Sequence, residues 1–290
     1  MTPACAGELR EGAVSVKQAG PGIGPVGPDI EIDFSTPSPA RMYDYYLGGK
    51  DNFAADRAAA RQALAVFPEG RDLARDNRGF LARAVRFVAG QGVGQYLDVG
   101  AGIPTSPSVH EVVREVHDQA RVVFVDNDPH VLAHNRALHL VEPGEKVITV
   151  RGDARDPAAI TADPRVRDVI DFSRPVGLLI VAVLHFVQDD ADPWGMVAQF
   201  RDMLAPGSYL VLSHMTSDDS DANMVMGLTE AYSGAAAPGV FRTARQIGDF
   251  FDGFDLEDPG VVHVSQWRPP GSTPGALPAV RCLAGVGRKP

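Results

Sequence analysis

Apolar and polar positions fall into three regimes along the 290-residue chain. Residues 1–29 are rich in Gly, Pro and Ala and have no period, as in Gly20-Pro21-Gly22-Ile23-Gly24-Pro25. Such a segment buries too little apolar surface to offset the entropy of ordering, and it reads as a disordered tail. Between Pro37 and Phe67 apolar residues recur at helical spacing on both sides of Gly48-Gly49, and a third helical stripe over 76–89 carries Phe80, Leu81, Ala84, Val85 and Val88. Residues 30–90 are therefore expected to form an N-terminal helical annex. Over 91–290 short apolar runs alternate with helical patterns, the runs lying at 95–99, 121–126, 146–150, 176–183, 208–213, 261–266 and 279–284. This alternation predicts an α/β domain with a seven-stranded, mostly parallel sheet covered by helices on both faces.

Helix-start signals agree with that frame. Ser106-Pro107, Asp128-Pro129, Asp156-Pro157 and Asp192-Pro193 each follow a candidate strand, pairing a capping side chain with a proline suited to the first helical position. Composition adds bounds. A hydrophobic content of 44% supports a sizeable core. No apolar run reaches the roughly 20 residues of a bilayer span, and the first residues lack the pattern of a secretion signal, so a cytoplasmic protein is expected. Cys5 and Cys282 stand too far apart to suggest a disulfide framework or a zinc site. The net charge of -10 disfavours a nucleic-acid partner, whose phosphates call for a basic face.

The candidate chemistry lies at the strand ends, where a doubly wound sheet binds its ligands. The first run closes on Asp98-Val99-Gly100-Ala101-Gly102, an acid followed by glycines that permit a tight turn and a close backbone approach. A dinucleotide would bring its pyrophosphate against that carboxylate and be repelled, whereas S-adenosylmethionine brings an ammonium and a sulfonium, which it attracts. The second run ends in Asp126-Asn127-Asp128, 28 residues after Asp98, where an acid can take both ribose hydroxyls. The third is followed by Gly152-Asp153-Ala154, where a carboxylate can accept from an adenine amine while a backbone N–H meets a ring nitrogen.

These three segments resemble the motifs of class I S-adenosylmethionine-dependent methyltransferases, in order and at suitable spacing, over about 91–290. A narrower resemblance, carried by the run from Pro39 to Phe53 and by Gly102-Ile103-Pro104-Thr105-Ser106-Pro107, is to an actinobacterial methyltransferase-like family of undefined substrate. The resemblance implies a Rossmann-like sheet, S-adenosyl-L-methionine as cofactor, and methyl transfer to an acceptor. It places cofactor contacts at Asp98, Gly100, Ala101, Gly102, Thr105, Asp126, Asn127, Asp153, Ala154 and Val181. Many class I enzymes carry a further glycine where this chain has Ile103-Pro104-Thr105. The annex is therefore expected to supply part of the cofactor's holding, through Arg41 or Lys50 on the methionine carboxylate.

For catalysis the sequence offers His185, in Val183-Leu184-His185-Phe186 after the fourth run, as a general base, and His214 as a second candidate. Alignment alone suffices for much methyl transfer. His130 and His134 lack a third ligand, and Asp189, Asp190 and Asp192 read as solvated or capping groups, so no metal is expected. The stretch from Asp221 to Gly234, with Met224, Met226 and Tyr232, either lines a substrate lid or forms an ordinary amphipathic helix. An Asn/Asp-Pro-Pro-Tyr segment is absent after the fourth run, which with the acidic charge favours a small-molecule acceptor; neither a nucleic-acid nor a membrane partner is expected, and a homodimer stays open. The alternatives are a non-catalytic protein that binds S-adenosylmethionine or S-adenosylhomocysteine, and a nicotinamide-dependent oxidoreductase.

Overall fold

Five runs of β-branched and aromatic residues form the centre of the sheet. They are β1 (Gln95–Val99), β2 (Arg121–Asp126), β3 (Lys146–Arg151), β4 (Gly177–Val181) and β5 (Tyr209–Thr216). They pair in parallel in the order β3-β2-β1-β4-β5. The computed structural model describes residues 33–138, 146–271 and 275–290; the tail expected over 1–29 lies outside the described residues. Beyond β5 follow β6 (Asp255–Leu256), β7 (Val262–His263) and β8 (Arg281–Arg288). β8 runs antiparallel to β5 over its whole length, from Tyr209↔Arg288 to Thr216↔Arg281, and carries β6 and β7 on its other edge.

Among the described residues the sheet thus has eight strands, parallel at its centre. The run expected over 261–266 contributes only Val262–His263, because the chain turns where the Gln266 N–H bonds His263 O. Asp255–Leu256 went unforeseen, being exposed and polar enough to read as loop.

The helices are α1 (Pro39–Leu47), α2 (Ala54–Val66), α3 (Gly70–Gly90), α4 (Val109–Arg114), α5 (Pro129–Leu138), α6 (Pro157–Ala162), α7 (Pro164–Val169), α8 (Pro193–Met203), α9 (Ala222–Ala231) and α10 (Ala244–Gly248). Asp156 caps α6 and Asp192 caps α8, each carboxylate accepting an N–H of the first turn. Asp128 accepts the His130 N–H at the start of α5. The expected start at Ser106-Pro107 moves to Ser108, whose N–H donates to the Glu111 carboxylate. α3 starts well before residue 76 because Leu73 and Ala74, the only apolar residues of its polar first turns, are both buried.

Alternate strand residues face two cores, as the two-residue period requires. On one side Tyr96, Val122, Leu179 and Val211 pack with Met42, Ala60, Phe80, Val88 and Val112, so α1 to α4 share their core with the sheet. On the other, Leu97, Val123, Leu178 and Leu210 pack with Ile160, Val166, Met196 and Phe200 of α6 to α8. Trp267 fastens α3 to the end of the chain, meeting Phe80 and Phe87 edge-on at 5.6 and 5.7 Å. Arg83 reinforces the join by donating to Trp267 O and Val264 O at 2.9 and 2.7 Å.

The Gly48-Gly49 break has a structural cause. Gly48 closes α1 at φ 85°, and a Cβ on Gly49 would overlap the Asp44 carboxylate. That buried carboxylate accepts from Asp51 N at 2.9 Å and Asn52 Nδ2 at 2.7 Å.

Candidate functional site

The carboxyl ends of β1, β2 and β3 bring Asp98, Asp126 and Asp153 to one rim of the sheet. Asp98 is 6% exposed, and no protein group donates a hydrogen bond to it among the described residues. Burial pushes its carboxyl up to about 7, Arg78 opposing the shift and Asp126 adding to it. It lines a recess with Arg78, Ala101, Thr105, Ser108 and Asn135. A buried acid without a donor is costly unless a ligand supplies one.

The turn after β1 is built for close approach. Gly100 and Gly102 sit at φ 74° and 66°, where an L side chain is strained. A Cβ on Gly100 would also overlap the Val183 side chain, which brings the segment after β4 against the turn. Asp126 accepts from Gly102 N and Asp128 N, both at 2.9 Å, so one carboxylate ties the β1 turn to the β2 end. Burial raises it to about 6, against those hydrogen bonds. Each of its oxygens keeps a lone pair for a ligand hydroxyl.

Where other sequences have a further glycine, the stretch 103–107 is held by side chains. Arg78 donates to Thr105 O and Pro107 O at 3.0 and 2.9 Å, and Asn135 donates to Gly102 O at 2.9 Å. Sequence reasoning missed both residues, since each sits mid-helix with no motif spacing to mark it.

The annex reaches the site at the β2 end. The Ser38 hydroxyl donates to Asp128 at 2.7 Å. Arg41, 4% exposed, pairs with Asp56 at 2.9 Å and Asp128 at 3.4 Å and donates to Asp33 O and Thr36 O. Its guanidinium is thus engaged in holding the acidic loop, and Lys50 is exposed beyond the Gly48 cap. The positive group that faces Asp98 is Arg78. Asp153 is half-buried and forms a bidentate pair with Arg155, which with the Asn127 side chain holds its carboxyl below the usual range. Ala154 is half-buried beside it.

After β4 the chain takes a form the sequence does not announce. Val181, half-buried, ends the strand, and Ala182 lies in the left-handed region at φ 58°, a strained place for a residue with a side chain. The Ala182 N–H donates to Ser213 Oγ at 3.0 Å, Ser213 Oγ donates to Asn77 Oδ1 at 2.7 Å, and Asn77 Nδ2 donates to the Tyr43 hydroxyl at 3.0 Å. A buried hydrogen-bonded line therefore runs from α1 and α3 to the strained residue.

The two candidate bases differ. His214 is fully buried, with Nδ1 at 2.7 Å from Met215 O and Nε2 at 2.6 Å from Arg242 Nη1. Both nitrogens are engaged and desolvation lowers it to about 3, so it is a structural group. His185 is 7% exposed, and its Nδ1 has no partner among the described residues; desolvation holds it well below its ordinary value. Asp189 accepts from Arg242 at 2.6 Å. His130 lies 3.2 Å from Asp51 O and packs edge-on against Phe53.

Residues 27–290 match the family described as S-adenosyl methyltransferase. A DUF574-family protein from Streptomyces avermitilis is 37% identical, with a TM-score of 0.85, over 90% of this chain and 100% of that one. A candidate methyltransferase from Thermobifida fusca is 41% identical, with a TM-score of 0.82, over 89% of this chain and 96% of that one. Among curated proteins none matches.

Proposed function

Because the chain belongs to the S-adenosyl methyltransferase family, and so is an S-adenosylmethionine-dependent methyltransferase, we propose that it methylates a small molecule with its cofactor held at the ends of β1, β2 and β3. The observation that carries the placement is Asp98, a buried carboxylate with no hydrogen-bond donor among the described residues, beside the Gly100 and Gly102 turn. S-adenosylmethionine, when bound, supplies an electrophilic methyl group on a sulfonium.

Asp98 accepts the ammonium of the methionine end, and Arg78, whose Nε and Nη1 are outside its carbonyl bonds, takes the carboxylate. Asp126 accepts the ribose hydroxyls through its remaining lone pairs, with the Gly102 turn and Asn127 beside it. Asp153 and the Ala154 backbone meet the adenine edge, Asp153 sharing its oxygens with Arg155. Arg41 works one step back, holding Asp128, and Thr105 and Val181 contribute backbone to the walls.

A small acceptor is supported by the net charge of -10 and by the absence of an Asn/Asp-Pro-Pro-Tyr segment after β4. No described helix is long and apolar enough to cross a membrane. Calorimetry against S-adenosylmethionine, S-adenosylhomocysteine and NAD tests the reading: binding of the first two and not the third is expected. Tight NAD binding with no response to the others would overturn it.

A further inference from the structure

Once the cofactor residues are set aside, the buried polar group with unused chemistry at this end of the sheet is His185. Its backbone is fixed without help from its ring. The Val240 N–H donates to His185 O at 2.7 Å, and Arg242 donates to Leu184 O and Val187 O at 2.8 and 2.7 Å. The imidazole is free of that scaffold, and its Nδ1 is buried without a partner among the described residues. Neutral imidazole always carries one donor and one acceptor, so such a nitrogen awaits a group.

The surroundings define that group. Phe186 lies 4.4 Å from the His185 ring and 5.7 Å from Tyr232. Tyr232, at the end of α9, shares a 2.8 Å hydroxyl contact with Tyr46 of α1. The cover formed by α9 is pressed on the annex, where a Cβ on Gly227 would stand 2.8 Å from Val66 and Ala236 N bonds Pro37 O. The groups that act electrostatically on His185 are His214, edge-on with ring centroids 5.5 Å apart, and after it Arg242, already matched by Asp189. Val183, two residues away, touches the Gly100 turn and so ties this cluster to the cofactor end.

Resting on the methyltransferase reading, we propose that His185, Phe186, Tyr46 and Tyr232 form the acceptor site, and that it takes a flat, uncharged ring bearing an O–H or ring N–H whose proton is received at His185 Nδ1. Rings suit edge-to-face and offset contacts with such walls. The Tyr46 and Tyr232 hydroxyls exchange their mutual hydrogen bond for one to a polar substituent. In the transfer the acceptor atom gains the methyl group, the electron pair of the broken C–S bond stays with sulfur, and the acceptor proton ends on His185.

The test uses the full chain with S-adenosylhomocysteine present, comparing 2-naphthol with naphthalene by equilibrium dialysis. Wild type is expected to favour 2-naphthol about 3- to 10-fold, the worth of one hydrogen bond. His185→Phe is expected to erase that preference while leaving naphthalene binding in place, and Tyr232→Ala to weaken both. In ¹⁵N-labelled wild type the His185 Nδ1 resonance is expected to move with 2-naphthol and not with naphthalene, a reading independent of how the variants fold. Equal binding of the two rings, a preference that survives His185→Phe, or no binding of either overturns the acceptor site. Calorimetry of S-adenosylhomocysteine separates the cases, since its failure would remove the methyltransferase placement instead.

Discussion

Asp98 titrates in the folded protein near 7, against 3.8 for an ordinary aspartate. Between those values the folded state binds more protons than the unfolded one, so the ligand-free protein is expected to lose stability as pH rises from about 4 to 7. Thermal melts across that range check the sign, and Asp98→Asn is expected to flatten the contribution. Ligand affinity runs the other way, because only the ionised carboxylate attracts an ammonium. S-adenosylhomocysteine binding is expected to strengthen with rising pH up to about 7 and then level off. At neutral pH Asp98→Asn is expected to weaken it about 10- to 100-fold, the range for a charge-assisted hydrogen bond. Arg78 is checked with a second ligand. 5′-Methylthioadenosine lacks the amino-acid end, so Arg78→Met is expected to cut S-adenosylhomocysteine affinity while moving 5′-methylthioadenosine far less. Equal losses for both would show that Arg78 acts only by pinning Thr105 and Pro107.

At the scale of elements, the β1 turn is where backbone conformation and packing coincide. Gly100→Ala meets both a left-handed φ of 74° and the Val183 side chain, and is expected to abolish S-adenosylhomocysteine binding and to cost about 1–2 kcal/mol or more in denaturant unfolding. Gly102→Ala meets open space, so it is expected to cost less. These glycines were legible from sequence because a strand, an acid and a turn fall in one short run. The parallel strands were legible too, their residues being apolar on both faces. Residues such as Arg78, Asn77 and Asn135 were not, because a polar side chain on a helix gives no sign of the turn or strand it will reach. Ala182 was hidden for a related reason: its left-handed backbone is imposed by Ser213 and Asn77, and alanine carries no mark of it. The partners of Arg41 are hidden from sequence in the same way, because Asp56 and Asp128, which pair with it, lie 15 and 87 residues away.

Over the whole molecule, helices before the sheet and strands at its far edge share one core through Trp267 and α3. Trp267→Ala is expected to cost about 3–5 kcal/mol and to speed hydrogen exchange in α3 and β8 together; exchange rising in only one would mean that the two are not joined as described. From sequence the helices before the sheet and the sheet itself read separately, since periodicity within a segment carries no information about which distant segment it packs on. β8 adds a temporal consequence. It follows the other seven described strands in chain order, yet it lies inside the sheet, between β5 and the short β6. During translation, β5 therefore emerges with the edge that pairs with β8 open, and it stays so until residues 281–288 have cleared the ribosome. Ribosome-bound chains stalled before residue 281 are expected to be caught by chaperones and cut by protease within β5, and extension past residue 288 with release to end both.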